Sequence, residues 1–555
     1  MVARSARDWL VWPRLRLSSL TIDYYVIGLG VAFSLGVLVR AAQVFSADFP
    51  LNDGGLFYAM VRDLQANNYV LPAETSYNSA GIPYAYSPLA FYITGFLDDV
   101  TPFSLLTLFR FLPLLFSCLT LVAFWRLARV MLVWNVAVVA AVAAFALIPR
   151  SFIWLIMGGG LTRALGVFFA ILALEQVYRL YRQPAQRTLA LAIVFSAATV
   201  LSHLQTGWFL AFSTVLFALF LGRDRQGLRS SISLAAGTAA LTAPWWLTVV
   251  AYNGVDPFLA ANSTGGTVFS NDANRLSVML SIARAISTSE PFFPVLASLG
   301  LLGAVLCFAT NRFLLPAWWV VIILLDIRAF ATYASLPIGL LAGIAVAEGL
   351  LPVLRRGFRQ DRRSESGEWV PETGSPPTTR DLLAHAKPLF VLGCLLYYAA
   401  FAATVKQPGL GELTSLDALD PSQRQAMDWI ATSTPTDATF LVIPSSAWET
   451  GKELEWFPVL ARRPSVATVQ GTEWVPDAFA HRINDYYGAW GCAFGSTSCL
   501  EQWETSTGLA YTHVYLPTSN GRPCCSNLEA SLRGDPGYRL VYEGPGGAVF
   551  ERRAR

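Results

Sequence analysis

Apolar runs dominate this chain, and polar residues fall in short breaks between them. The first run extends from about Tyr24 to Phe45. Others follow at about 103–125, 133–149, 158–180, 188–203, 207–222, 231–250, 291–310, 313–331, 332–352 and 388–405. A straight helix needs roughly 20 apolar residues to cross a bilayer, so the pattern predicts an α-helical polytopic membrane protein of about eleven spans, several of them short. The first run is longer than a signal-peptide core of ~7–15 residues and reads as an anchor.

The breaks alternate in charge. An N-terminus on the cytoplasmic side places Arg126 and Arg129, then Arg179, Arg182 and Arg187, then Arg223, Arg225 and Arg229, then Arg312, Arg355 and Arg356 all on that side, which is where basic loops belong. One further apolar run, Ser87 to Leu97, would invert every later loop if it crossed. It is also short, and it is expected to lie along the membrane surface or re-enter it. Asp326 and Arg328 interrupt the two closely spaced runs between 313 and 352.

Composition agrees with the pattern: 54% of residues are hydrophobic and 14% charged, against roughly 25% charged in soluble domains. The net charge of +3 is spread over helix ends and forms no patch for nucleic acid. The chain divides into a membrane domain at 1–354 with a large first outer loop at 46–102, a linker at 355–387 rich in Arg, Ser, Glu, Gly and Pro, a last span at 388–405, and a domain at 406–555 of mixed composition. The linker is expected to be cytoplasmic and disordered, the last domain extracytoplasmic and α/β. In that domain Asp420-Pro421 opens a helix ending near Thr432. Thr439 to Ile443 and Thr512 to Leu516 read as buried strands, and Tyr538 to Tyr542 with Gly547 to Glu551 as a hairpin. Cys118, Cys307 and Cys394 lie in apolar runs, whereas Cys492, Cys499, Cys524 and Cys525 lie in the outer domain. Disulfides of open connectivity fit those four better than zinc, whose sites repeat a C-x2-C spacing absent here.

Ionisable residues inside spans are expensive. Here Arg40, Arg110, Arg163, His203, Asp326 and Arg328 all fall at outer ends of the predicted spans. Arg40 alone suits snorkelling. Arg110 and Arg163 suit a phosphate, because the guanidinium fork matches phosphate oxygens and stays charged when desolvated. Arg163 also follows Gly158-Gly159-Gly160, where backbone can approach a ligand. His203 is either a hydrogen-bonded structural residue or a functional one. Asp326 and Arg328 either satisfy each other or contact substrate. Glu175 and Arg179, four apart at the opposite end, read as a local helix pair.

The first loop is the richest segment. Asp48 and Asp53 precede an amphipathic helix from about Gly55 to Asn67, on which Arg62 and Asp63 read as a solvated face. Tyr84 and Tyr86 follow in an aromatic and proline-rich stretch suited to lining a sugar site. Asp53, backed by Gly54-Gly55, reads as the cap of that helix, as a carboxylate aimed into a cleft, or as both at once.

The segments Asn52 to Ala59 and Tyr84 to Tyr92, the span number, the outer C-terminal domain and Met427 to Ala438 together resemble the GT-C class of membrane glycosyltransferases. This class includes protein mannosyltransferases, aminoarabinose transferases and oligosaccharyltransferases. The resemblance implies transfer of a sugar from a polyprenyl-phosphate donor to a lipid, glycan or protein acceptor on the outer face of the plasma membrane. It implies Asp53 as catalytic carboxylate, with Asp48 the second choice; Arg110, Arg163, His203, Asp326, Arg328, Tyr84 and Tyr86, singled out above by position and chemistry, are the candidate substrate contacts. Oligosaccharyltransferases add a second-loop Asp-x-Asp that binds a divalent metal, and a Trp-Trp-Asp-x-Gly signature. The loop from Pro149 to Thr162 holds no acid and the signature is missing, so a metal-independent transferase is favoured; a divalent metal stays open as the less favoured alternative and no other cofactor is indicated. The competing classes are a transporter or lipid flippase, for which repeated halves and midplane charge are expected, and a noncatalytic glycan-binding relative.

Overall fold

The computed structural model describes residues 15–17, 20–22, 24–264, 288–326, 328–354, 379–404, 416–519 and 522–553. Its membrane region runs α1 (Tyr24–Phe45), α2 (Gly55–Ala66), α3 (Leu89–Val100), α4 (Leu105–Met131), α5 (Asn135–Leu147), α6 (Gly160–Arg182), α7 (Gln186–Ser202), α8 (Leu204–Leu221), α9 (Arg225–Asn253), α10 (Asp256–Thr264), α11 (Val295–Ala309), α12 (Leu314–Leu325), α13 (Phe330–Ile344) and α14 (Thr379–Thr404). Each predicted apolar run coincides with a helix over most of its described residues. Six helices are long and apolar enough to cross a bilayer: α1, α4, α6, α8, α9 and α13 with its continuation to Leu354. A seventh span arises if α5 is joined to the segment Pro149–Leu155, bent against it by 82°. Helices α7, α11, α12 and Pro388–Thr404 are apolar but shorter, so the expected count of about eleven exceeds what length and composition support among the described residues. Most of the expected linker lies outside the described residues, but its last part, from Thr379, already belongs to α14.

The run at 87–97 forms α3, which packs against α2, α4, α6 and α7. Short ladders join β1 (Leu15–Leu17) to β2 (Leu20–Ile22) and β3 (Glu74–Thr75) to β4 (Ile82–Pro83). The C-terminal region has a core of its own. Its sheet runs β5-β6-β9-β8, with β5 (Phe440–Val442) parallel to β6 (His513–Ser519) and the hairpin β8 (Tyr538–Gly544)–β9 (Gly547–Arg552) antiparallel beside it. A two-residue strand, β7 (Arg522–Pro523), pairs with β6. Helices α15 (Pro421–Ser433), α16 (Lys452–Leu460), α17 (Ala478–Cys492), α18 (Thr497–Thr507) and α19 (Ser526–Gly534) accompany the sheet. Asp420 caps α15 by accepting from the Ser422 amide. Cysteines pair Cys492 to Cys499 and Cys524 to Cys525.

The first loop ties the two regions together. Phe49 is buried in the C-terminal core with its ring edge-on to Trp456 at 4.8 Å, and Leu51 bridges Ala418. Two charge readings need correction. Arg40 does not snorkel: it is wholly buried, and its guanidinium donates to Ser117, Ser151 and the carbonyls of Gly36 and Ala146. Neutral acceptors drawn from several elements hold it where no headgroup is needed. Glu175 is more than a local partner of Arg179. Its buried carboxylate also receives Arg126 from α4 at 2.8 Å, which locks two helices together.

Candidate active site

Asp53 sits on a sharp turn. Asn52 has φ of 55° and Gly54 φ of 132°, a conformation open to glycine and tolerated at asparagine. The C-terminal region holds this turn from both sides. Asn52 donates its amide to the Asp417 carbonyl at 3.0 Å, the Trp456 indole donates to the Asn52 carbonyl at 3.0 Å, and the Gly54 amide donates to Glu455 Oε1 at 2.8 Å. Gly54 occupies the N-cap position of α2 and has no capping side chain, so Glu455 of α16 supplies that acceptor. The capping alternative for Asp53 is therefore overturned: the capping acid comes from the far end of the chain.

The Asp53 side chain turns instead to α6. Its Oδ1 accepts from the Gly159 amide at 2.9 Å, at the N-terminus of that helix, where the helix dipole favours an anion. The glycine run makes this possible. A Cβ on Gly159 would stand 2.5 Å from Asp53 Oδ2, and one on Gly158 2.1 Å from the Asp53 carbonyl. What those glycines admit is the first loop. Burial raises the Asp53 carboxyl above its ordinary range, against the opposing pull of Arg163 and the Gly159 amide. Burial, and then the charge of Asp53, holds Glu455 well above its own.

Arg163, one turn into α6, is an electrostatic neighbour of Asp53, Arg328, Tyr86 and Tyr333. It lies over the Trp154 ring at 5.5 Å and donates one bond, from Nη1 to the Trp154 carbonyl at 3.2 Å. Its other N–H groups have no partner among the described residues. Arg328 is exposed and lies over Trp448 and Phe479 of the C-terminal region, at 6.0 and 5.8 Å. Tyr86 is half-buried, lies against Trp474 with ring centres 4.8 Å apart and planes tilted by 59°, and donates to Glu473. Burial and Glu473 hold its phenol well above the usual value, so it remains a neutral donor. Asp53, Arg163, Arg328 and Tyr86 thus come together from four segments.

The other expected residues fall differently. His203 caps α8, its Nδ1 accepting from the Thr206 amide at 3.2 Å, while its ring lies in the field of Arg163 and Arg328. Asp326 is buried and accepts from Gln205 and the Ala329 amide, each at 3.0 Å; no ion pair joins it to Arg328, so the mutual-pairing reading fails. Its Oδ2 is buried without a hydrogen-bond partner among the described residues. Asp48 is exposed and pairs with Arg424 of α15, fastening the loop away from Asp53. Arg110 donates to the Val44 carbonyl at 3.3 and 3.4 Å and stays at the α1–α4 joint. Tyr84 is wholly buried and donates to the Met60 carbonyl at 2.8 Å, a packing position. Asp63 is no solvated acid: it accepts from Thr75 at 2.6 Å and from the Ser76 amide at 2.8 Å.

Sequence reasoning missed Glu455 and Glu473. Glu455 carried a signal, an acid between Leu454 and Trp456 in an apolar helix, because a buried carboxylate demands a partner. No group of three His, Cys, Asp or Glu stands close enough to hold a metal ion among the described residues.

No family model matches the chain, and no curated protein does. Solved structures match its shape. The oligosaccharyltransferase of Archaeoglobus fulgidus in its apo form is 13% identical with a TM-score of 0.55, covering 96% of this chain and 74% of that one. The archaeal oligosaccharyltransferase AglB of the same organism, in complex with an inhibitory peptide and a dolichol-phosphate, is 14% identical with a TM-score of 0.53 over the same shares. ArnT from Cupriavidus metallidurans in the apo state is 13% identical with a TM-score of 0.50, covering 95% and 97%. The chain is a multi-pass membrane protein with the GT-C fold these structures share.

Proposed function

We propose that this protein transfers a sugar, hexosyl or pentosyl, from a polyprenyl-phosphate donor to an acceptor hydroxyl at the outer face of the membrane. The observation that carries the reading is the carboxylate of Asp53, desolvated, braced by the Gly159 amide, and facing Arg163 without an ion pair between them. A general base works best with a pKa near the operating pH, and burial moves Asp53 that way. Asp53 takes the proton of the acceptor hydroxyl as its oxygen bonds to the anomeric carbon. The bond from that carbon to the phosphate oxygen breaks, and its electron pair leaves with the lipid phosphate. Arg163 and Arg328, whose N–H groups are not all paired among the described residues, neutralise that charge. The Tyr86 ring flanks the sugar, its single hydroxyl proton being given to Glu473. A dolichol-phosphate held by an oligosaccharyltransferase of the same fold supports the donor class.

A divalent metal is no part of this reading. The connection from 149 to 162 offers no acid, and one Asp53 oxygen is already engaged by an amide. The alternation of basic loops supports a cytoplasmic N-terminus, with Asp53 and both cystines in the opposite compartment. Asp53→Asn, assayed with a labelled polyprenyl-phosphate sugar in membranes, is expected to lower transfer by about 10²–10⁴-fold with insertion unchanged. Full transfer would remove the base.

A further inference from the structure

A groove of about 280 Å³ lies between α2, the loop after it and the turn that ends α16. Tyr58, Arg62, Tyr77, Ser79 and Arg462 line it. Its walls are clasped: Asn78 Nδ2 donates to the Ser465 carbonyl at 2.9 Å and the Ser465 amide donates back to Asn78 Oδ1 at 2.7 Å. Three residues around it hold left-handed backbone without being glycine: Asn78 at φ 59°, Ser79 at 50° and Arg462 at 52°. Such conformations persist where surrounding structure enforces them, and they gather at ligand sites. Here the enforcing group is Arg463. It is buried, and its guanidinium donates to the carbonyls of Ala431, Thr434, Pro435 and Arg462, which fixes the turn that carries Arg462.

The groove's own polar groups are unspent. The guanidinia of Arg62 and Arg462 are exposed and have neither ion pair nor hydrogen bond among the described residues, and the Tyr58 hydroxyl has no partner there. Two free forks beside hydroxyls match a carboxylate or phosphate carried on a sugar. The groove is also tied to the candidate active site, since Tyr77 donates to the Glu455 carbonyl at 2.7 Å and the Glu455 side chain braces the Asp53 turn.

We infer that this groove binds an anionic saccharide, a sugar bearing carboxylate or phosphate, as the part of the acceptor outside the reacting residue; this role rests on the transfer reading above, while the binding does not. The test is calorimetric titration of the full chain in detergent with trigalacturonate, mannose 6-phosphate and neutral maltotriose. At least one anionic probe is expected to bind, and Arg62→Gln with Arg462→Gln to weaken it about tenfold or more at an unchanged unfolding temperature. Should that double variant melt early, Arg62→Gln alone, at an exposed position, is expected to show the weakening. Asp53→Asn is expected to leave this binding intact even if no transfer is ever detected, which separates the fate of the groove from that of the catalytic reading. Wild-type protein that binds no anionic probe, equal binding of maltotriose, or unaltered binding by the arginine variants would overturn the inference.

Discussion

The two ends of α6 carry acid and arginine in opposite arrangements. Toward its C-terminus Glu175 is wholly buried and answered twice, by Arg126 at 2.8 Å and Arg179 at 2.9 Å, so the charges close on each other. At its N-terminus Asp53 is held by an amide, and among the described residues Arg163 faces it with one hydrogen bond to a carbonyl and none to a carboxylate. The closed arrangement needs nothing more and fastens helices. The open one keeps desolvated charge ready for something that arrives, which is why the same residue types read as structure at one end and as a site at the other.

The largest expected effect falls on the open end, the loss of transfer in Asp53→Asn described above. At the closed end, Arg126→Met with Arg179→Met strands Glu175 and is expected to cost about 3–5 kcal/mol of stability, seen as early thermal unfolding, while transfer per folded molecule is kept. Loss of transfer in surviving folded protein would erase the contrast between the ends.

Arg163→Ala sharpens it next. Removing a charged hydrogen-bonding group costs about 1.5–3 kcal/mol, so donor affinity is expected to fall by roughly tenfold to a hundredfold while acceptor affinity holds. Equal losses would assign Arg163 to folding. The smallest effect is a displacement in pH. Burial raises Asp53, and burial with the Asp53 charge raises Glu455, so the ionised base is lost as pH falls through values above the ordinary carboxylate range of ~3.9–4.3. Glu455→Gln removes the more strongly raised of the two carboxyls, and its effect is expected in the dependence of stability on pH. Stability follows the same sign: raised carboxyls stabilise the fold below their unfolded pKa and lose that contribution as pH rises through the folded value. The Gln variant should therefore lose less stability between acid and neutral pH. A stability–pH profile unmoved by Glu455→Gln would contradict the raised Glu455 carboxyl.

What was legible in the sequence was local. The apolar runs, the helix after Gly54, the Asp420-capped helix and the β8–β9 hairpin all follow from spacing and turn chemistry within a few residues. Asp53 and Arg163 stood out because each breaks its surroundings. Glu455 did not emerge, because its meaning depends on a bond to Gly54 across 401 positions. Arg40 was misjudged for the same reason: one of its acceptors, the Ala146 carbonyl, lies 106 positions away, and nothing near Arg40 announces it. Tyr84 and Tyr86, two residues apart, could not be told apart by type, yet packing gives one to the core and the other to the site.

The most direct test of the open arrangement is a structure of the protein with a polyprenyl-phosphate sugar bound. The phosphate is expected within about 3 Å of the Arg163 and Arg328 guanidinium nitrogens, with the anomeric carbon on the side of Asp53. A phosphate seated elsewhere, with Arg163 still bonded only to the Trp154 carbonyl, would contradict the account.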